Sequence, residues 1–187
     1  MIRATGILFT LLLTVSCQDS GFKPVSKEER TSLQQLGDSI SSEMQAVLLK
    51  NVGEAIQHGG TEFAVEFCNL KAMPLTDSIS EKHQVKIQRL SDKNRNPKNS
   101  LQLESDRLAW EKIKKEKTDF IEQSRTGEIY YYKPISIGMP SCIQCHGKRS
   151  DISEKTLELI GLKYPDDKAT GYEMGDLRGM WKISIKK

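Results

Sequence analysis

From Leu33 to Ile56 the apolar residues recur at three- and four-residue intervals: Leu33, Leu36, Ile40, Met44, Val47, Leu48, Val52 and Ile56. That spacing predicts one long amphipathic helix, with Ser26-Lys-Glu-Glu29 as its capping box and Gly59-Gly60 as its close. Thr61 can cap a second helix through Phe63, Phe67 and Leu70 toward Pro74, with Ala64, Cys68 and Ala72 sharing one face. Pro74 then kinks that helix or begins a short one running to about His83. Alternation from Val85 to Leu90 predicts a half-buried strand, and Asp92–Asn99 is a polar loop rich in turn formers. Leu108, Trp110, Ile113, Phe120 and Ile121 predict a third, highly charged helix stopping near Gly127. Ile129–Ile135 reads as a strand whose end Pro134 places at an edge. A loop opened by Gly138 and Pro140 follows, then a helix over Ile152–Lys163, a loop over Pro165–Gly175 and a last strand over Met180–Ile185. Helices come first and strands gather later, which suggests an α+β fold with a small, mainly antiparallel sheet.

The first residues follow a different pattern. Arg3 precedes the short apolar run Ile7–Val15, and Ser16 is a small residue just before Cys17. The run is too short for a permanent membrane helix and reads as a signal peptide over residues 1–16. A cysteine at the cleavage point, followed by the polar run Gln18-Asp-Ser-Gly21, predicts lipidation at Cys17 and a tether over 17–25. The body of the protein is then 26–187. The expected location is the cell envelope, periplasm-facing and held to a bacterial membrane by lipid.

Charge excludes one class of partner. The chain carries 28 Lys and Arg against 25 Asp and Glu, well mixed, with no basic stripe interleaved with aromatics. Nucleic acid is not expected to bind. Of the 4 cysteines, lipidation would use Cys17, leaving Cys68, Cys142 and Cys145. An odd number in an oxidising compartment argues against a disulfide framework and asks for another use of each thiol.

That use is written in Cys142-Ile-Gln-Cys145-His146, the C-x-x-C-H pattern of covalent c-type haem attachment. Two thiols three positions apart can reach the two vinyl groups of one porphyrin, and the adjacent imidazole then sits over the iron. Zinc is the weaker reading, because it usually takes four protein ligands and no second Cys/His pair has ligand spacing. A thioredoxin-like redox pair usually opens a helix after a strand, which Gly138-Met-Pro140 and Gly147 do not suggest. His146 is therefore the expected proximal ligand of one covalent haem c. For the opposite face the residues alone leave Cys68, His58, His83, Met139, Met174 and Met180 as candidates. Arg89 and Arg178 are possible propionate partners, although arginines in such loops more often serve as anchors.

Five segments then occur in order: Arg89–Asn99, Tyr131-Tyr-Lys-Pro-Ile135, Cys142–Gly147, Tyr164–Tyr172 and Gly175-Asp-Leu-Arg-Gly179. Together they resemble the Tll-type haem-c-binding domain family, over about residues 30–187. The resemblance implies a PAS-like fold, a small antiparallel sheet flanked by helices. It also implies a distal cysteine from an early helix, and Cys68 is the matching position. Trp181 departs from the family pattern, where smaller residues are usual.

Electron transfer or redox sensing through a His/Cys-ligated iron is the leading expectation, with an unidentified redox or signalling protein as partner. A haem peroxidase-like enzyme with an open distal site is the alternative, and a zinc-binding structural lipoprotein ranks last. No catalytic residue is assigned.

Overall fold

The computed structural model describes residues 24–185; the signal segment, Cys17 and most of the tether lie outside them. Helix α1 spans Lys27–His83 and is capped by Ser26, whose hydroxyl accepts from Glu29 N at 3.1 Å. Just before it, Val25 N donates to the Gln123 side chain at 3.1 Å. The backbone leaves helical geometry at Gly59 and Gly60, the latter at φ +73°, so the glycine pair divides α1 into the two arms that the sequence predicts. Pro74 does not interrupt the second arm. Its missing N–H would have met the carbonyl of Leu70, an exposed residue whose oxygen water can satisfy.

The sheet is wholly antiparallel, in the order β1 (Lys86–Leu90), β4 (Leu177–Ile185), β3 (Ile129–Ser136), β2 (Phe120–Gln123). Helix α2 (Glu104–Glu116) packs on one face and α1 on the other. This is the α+β, PAS-like arrangement of a small sheet flanked by helices. Strand alternation divides the core. Ile87, Ile121, Ile129, Tyr131, Trp181, Ile183 and Ile185 meet Ile40, Met44 and Leu48 of α1. Leu90, Phe120, Tyr132 and Met180 meet Ala109, Trp110 and Ile113 of α2. Gly37 allows α1 to approach so closely, since a Cβ there would lie 2.3 Å from the Tyr131 ring.

One expectation needs correcting. The predicted third helix ends at Glu116, with Lys117 in the left-handed region as its C-cap, and Phe120–Gln123 is strand β2. Phe120 and Ile121 are adjacent, and the pleat sends them to opposite faces where both are buried. Two apolar neighbours in a strand covered on both sides thus imitated one side of a helix. Strand β3 is interior to the sheet, but β2 reaches only as far as Tyr132, so the Pro134 end does lie at an edge. Pro134 lies beyond it, where the outer side of β3 has no partner strand to receive an N–H. Trp181, the departure from the family pattern, is buried in the α1-side core, with its indole N–H 3.4 Å from Gln45 Oε1. No helix of the described residues is long and apolar enough to cross a membrane.

Candidate functional site

The cysteine motif lies on a short helix, α3 (Pro140–His146), not in the predicted loop. Pro140 stands at its start, where a missing N–H costs nothing. The register of β3 against β4 slips between Ile135 and Ser136, which turns the chain out of the sheet toward α3. At the other end Gly147 N bonds Ile143 O at 2.8 Å, and a Cβ on Gly147 would sit 2.5 Å from the Ile143 side chain. The helix therefore closes tightly on a glycine. Its three-residue spacing puts Cys142 and Cys145 on one side.

That side opens on a cavity of ≈ 420 Å³ between α1, α3 and the sheet. Cys142, Cys145 and His146 line it from α3, and Cys68 lines it from the second arm of α1 between Ala64 and Ala72. Leu48, Val52 and Ile56 carry the apolar stripe of the first arm into the same space. Arg89 of β1, Arg95 of the following loop, and Arg178 and Trp181 of β4 add to the wall. None of the three thiols is in a disulfide.

The other candidate ligands sort by position. His83 pairs with Glu43 at 2.8 Å, and His58 stacks edge-on against Phe63; neither lines the cavity. Met174 is exposed, and Met180 is buried on the α2 side of the sheet. Met139 does line the cavity, but it is the N-cap residue of α3 and so stands on the His146 side. Cys68 is the candidate that faces the cavity from a separate element.

Electrostatics define the site further. His146 Nδ1 donates to the Ala169 carbonyl at 2.7 Å, which fixes the tautomer and leaves Nε2 as the free nitrogen. Burial, with Arg95, Arg178 and Arg89 adding to it, holds the imidazole well below its usual range, so it is neutral. Burial raises the Cys145 thiol to about 11, only partly opposed by Arg95. Burial likewise raises Cys68, against the opposing cations Arg89 and Arg95. Neither of these two thiols is depressed, although the motif does open a helix after a strand. The guanidinium of Arg178 is lowered to about 10 by burial; it donates to Ser91 Oγ and Lys93 O, while its Nε is buried with no partner. Arg89 is also lowered by burial, and its guanidinium makes no hydrogen bond or ion pair with any described residue.

Arg95, Asp167 and Ala169 carry no role in the sequence pattern alone. The only signal for them was their place in two of the ordered motifs. Arg95 pairs with Asp167 and bonds the Cys145 carbonyl at 2.7 Å.

A PAS-like sheet and a C-x-x-C-H helix that opens on a mostly apolar cavity define the class, an α+β domain with its thiols gathered around one hollow. The chain belongs to the Tll0287-like family, whose pattern matches residues 23–186. It is similar in structure to the cyanobacterial heme-protein Tll0287, with a TM-score of 0.62 and 22% identity, over 82% of this chain and 95% of that one. No curated protein matches it in sequence.

Proposed function

We propose that this chain is an exported, lipid-anchored c-type cytochrome that binds one covalent haem and acts in electron transfer or redox sensing. The observation that carries the reading is that one cavity gathers Cys142, Cys145, His146, Cys68, Arg89 and Arg178. Its volume falls in the range of small-molecule pockets, roughly 300–1,000 Å³. Among the described residues no three His, Cys, Asp or Glu converge as a metal-ion site, so the donors suit a flat group with separated attachment points better than a lone zinc ion. The orphaned Nε of Arg178 and the unpaired guanidinium of Arg89 offer charge for two carboxylates, which is what a haem's propionates present. The relative Tll0287 is itself a heme-protein.

Cys142 and Cys145 would hold a haem through two thioethers, each S–H adding across one vinyl group with no other product. His146 would offer its free Nε2 to the iron, and Cys68 would be the second protein ligand. A bound haem supplies one-electron chemistry, and axial-ligand identity is a main lever on its potential. Cys68 as a thiolate favours the ferric state, and its protonation on reduction would make the same site a switch. A peroxidase-like enzyme needs an open distal face with an acid–base group; Cys68 fills that face, and His58 and His83 stand elsewhere.

Expression with the cytochrome c maturation machinery tests the reading. The reduced-minus-oxidised spectrum should be that of a c-type haem, and the haem should survive acid–acetone extraction. Changing both Cys142 and Cys145 to Ala should release it, and full extraction from the native protein would refute attachment. Anchoring is tested by fractionation: the native protein should sediment with membranes, and Cys17→Ser should free it.

A further inference from the structure

Two loops that the haem reading leaves without work meet beside α3. Arg95 Nε and Nη2 donate to the two carboxylate oxygens of Asp167, each at 3.1 Å, with the side chains only 11% and 9% exposed. The same Nη2 donates to the Cys145 carbonyl at 2.7 Å and reaches the Ala169 carbonyl at 3.5 Å. Asp167 Oδ1 also accepts from Ala169 N at 2.9 Å, and the Ala169 carbonyl is the acceptor of His146 Nδ1. The second loop is tied on by Lys168 N to Asn94 O, Lys93 Nζ to Thr170 O, Gly171 N to Gly147 O and Tyr172 N to His146 O.

We propose that Arg95 and Asp167 are positioning residues for His146: together they hold the Ala169 carbonyl and the Cys145 backbone as one unit, fixing the imidazole relative to the two thiols. An exposed pair of this kind would contribute little, but this one is nearly buried and both carboxylate oxygens are engaged. Its planar fork does what a lysine cannot, meeting Asp167 with two donors while one of them also serves Cys145. Asp167 also cancels the charge of Arg95, which distinguishes it from Arg89 and Arg178. All three line the cavity, but Arg89 and Arg178 do so without a carboxylate, whereas the Arg95 guanidinium is engaged by Asp167 and the Cys145 carbonyl. The rule that partners behind a ligating histidine orient it and set its basicity applies directly.

The inference rests on the haem reading, so wild-type holoprotein is the baseline. The test compares it with Arg95→Lys and Asp167→Asn holoproteins in the ferric state. Two readouts are followed: solvent exchange of the hyperfine-shifted His146 Nδ1–H by proton NMR, and the low-spin g values by EPR. Both variants should keep their thioethers, exchange that proton faster than the wild type, and show shifted or multiple g sets. Lys148→Met, which breaks only the exposed pair with Glu173, should change neither readout. Wild-type exchange and g values in either haem-loaded variant would overturn the proposal, and Asp167→Asn decides alone if Arg95→Lys does not fold. A wild type without haem would instead sink the reading beneath it, a separate and recognisable result.

Discussion

Arg89 on β1 and Lys182 on β4 are both desolvated cations in one sheet, and alternation sends them to opposite faces. Lys182, 3% exposed, meets the Asp106 carboxylate of α2, 5% exposed, at 2.6 Å, and its ammonium lies over the Tyr130 ring. Arg89 meets no carboxylate and faces the thiol-lined cavity with Arg178. Size does not separate the two regions: the hollow on the Lys182 side is the larger, ≈ 790 Å³ against ≈ 420 Å³. What separates them is whether the buried charge is already neutralised within the chain. A buried cation with its own carboxylate is part of the scaffold, whereas one without is poised for an anionic ligand.

Three substitutions bear on that contrast, from the largest effect to the smallest. Asp106→Ala strands Lys182 without its anion, and chemical denaturation should show a loss of about 3–5 kcal/mol, the usual consequence of breaking a buried pair on one side. Apo- and holoprotein should lose the same amount, because this face takes no part in the proposed haem site. A loss seen only in the holoprotein would erase the distinction between the faces. Cys68→Ala should leave thioether attachment intact, give a high-spin ferric component and raise the midpoint potential on the order of 0.1 V, a fraction of the ≈ 0.8 V that axial ligation spans. The direction follows from removing an anion that favours ferric iron, and a wild-type spectrum and potential would reduce Cys68 to core packing. Arg89→Gln should leave the apoprotein as stable as before or slightly more so. The stabilisation gained on loading haem should shrink by about 1.5–3 kcal/mol, the value of a hydrogen bond to a charged group, measured as the difference between apo and holo denaturation. An apoprotein weakened as much as the holoprotein would make Arg89 scaffold like Lys182.

The sequence was most informative where the physics is local. The stripe from Leu33 to Ile56 gave the first arm of α1, and Gly59-Gly60 marked its break, because helix periodicity and backbone freedom act over a few residues. Val52 and Ile56 belong to that stripe yet stay half-buried, since they face the cavity and not the sheet. Phe120 and Ile121 misled because a strand covered on both faces loses its alternation. Cys142, Cys145 and His146 were legible as a motif, while Cys68 needed the family resemblance to stand out from the other candidates. The Arg95–Asp167 pair joins residues 72 apart in the chain, and no spacing rule announces such a partnership.

Strand β4, the last element among the described residues, is also an interior strand, paired with β1 on one side and β3 on the other. A polypeptide emerging from a ribosome or a translocation pore delivers α1, β1, β3 and the whole C-x-x-C-H segment before the strand that joins them exists. Until Leu177–Ile185 appears, β1 has no partner, and Arg178 and Trp181 are missing from the cavity wall. Non-local pairing of this kind is slow to form. The order of synthesis thus opens an interval in which both thiols and the imidazole stand without the β4 wall, and arrival of β4 ends it. A chain cut before Leu177 would carry every residue of the motif and no pocket to put them in.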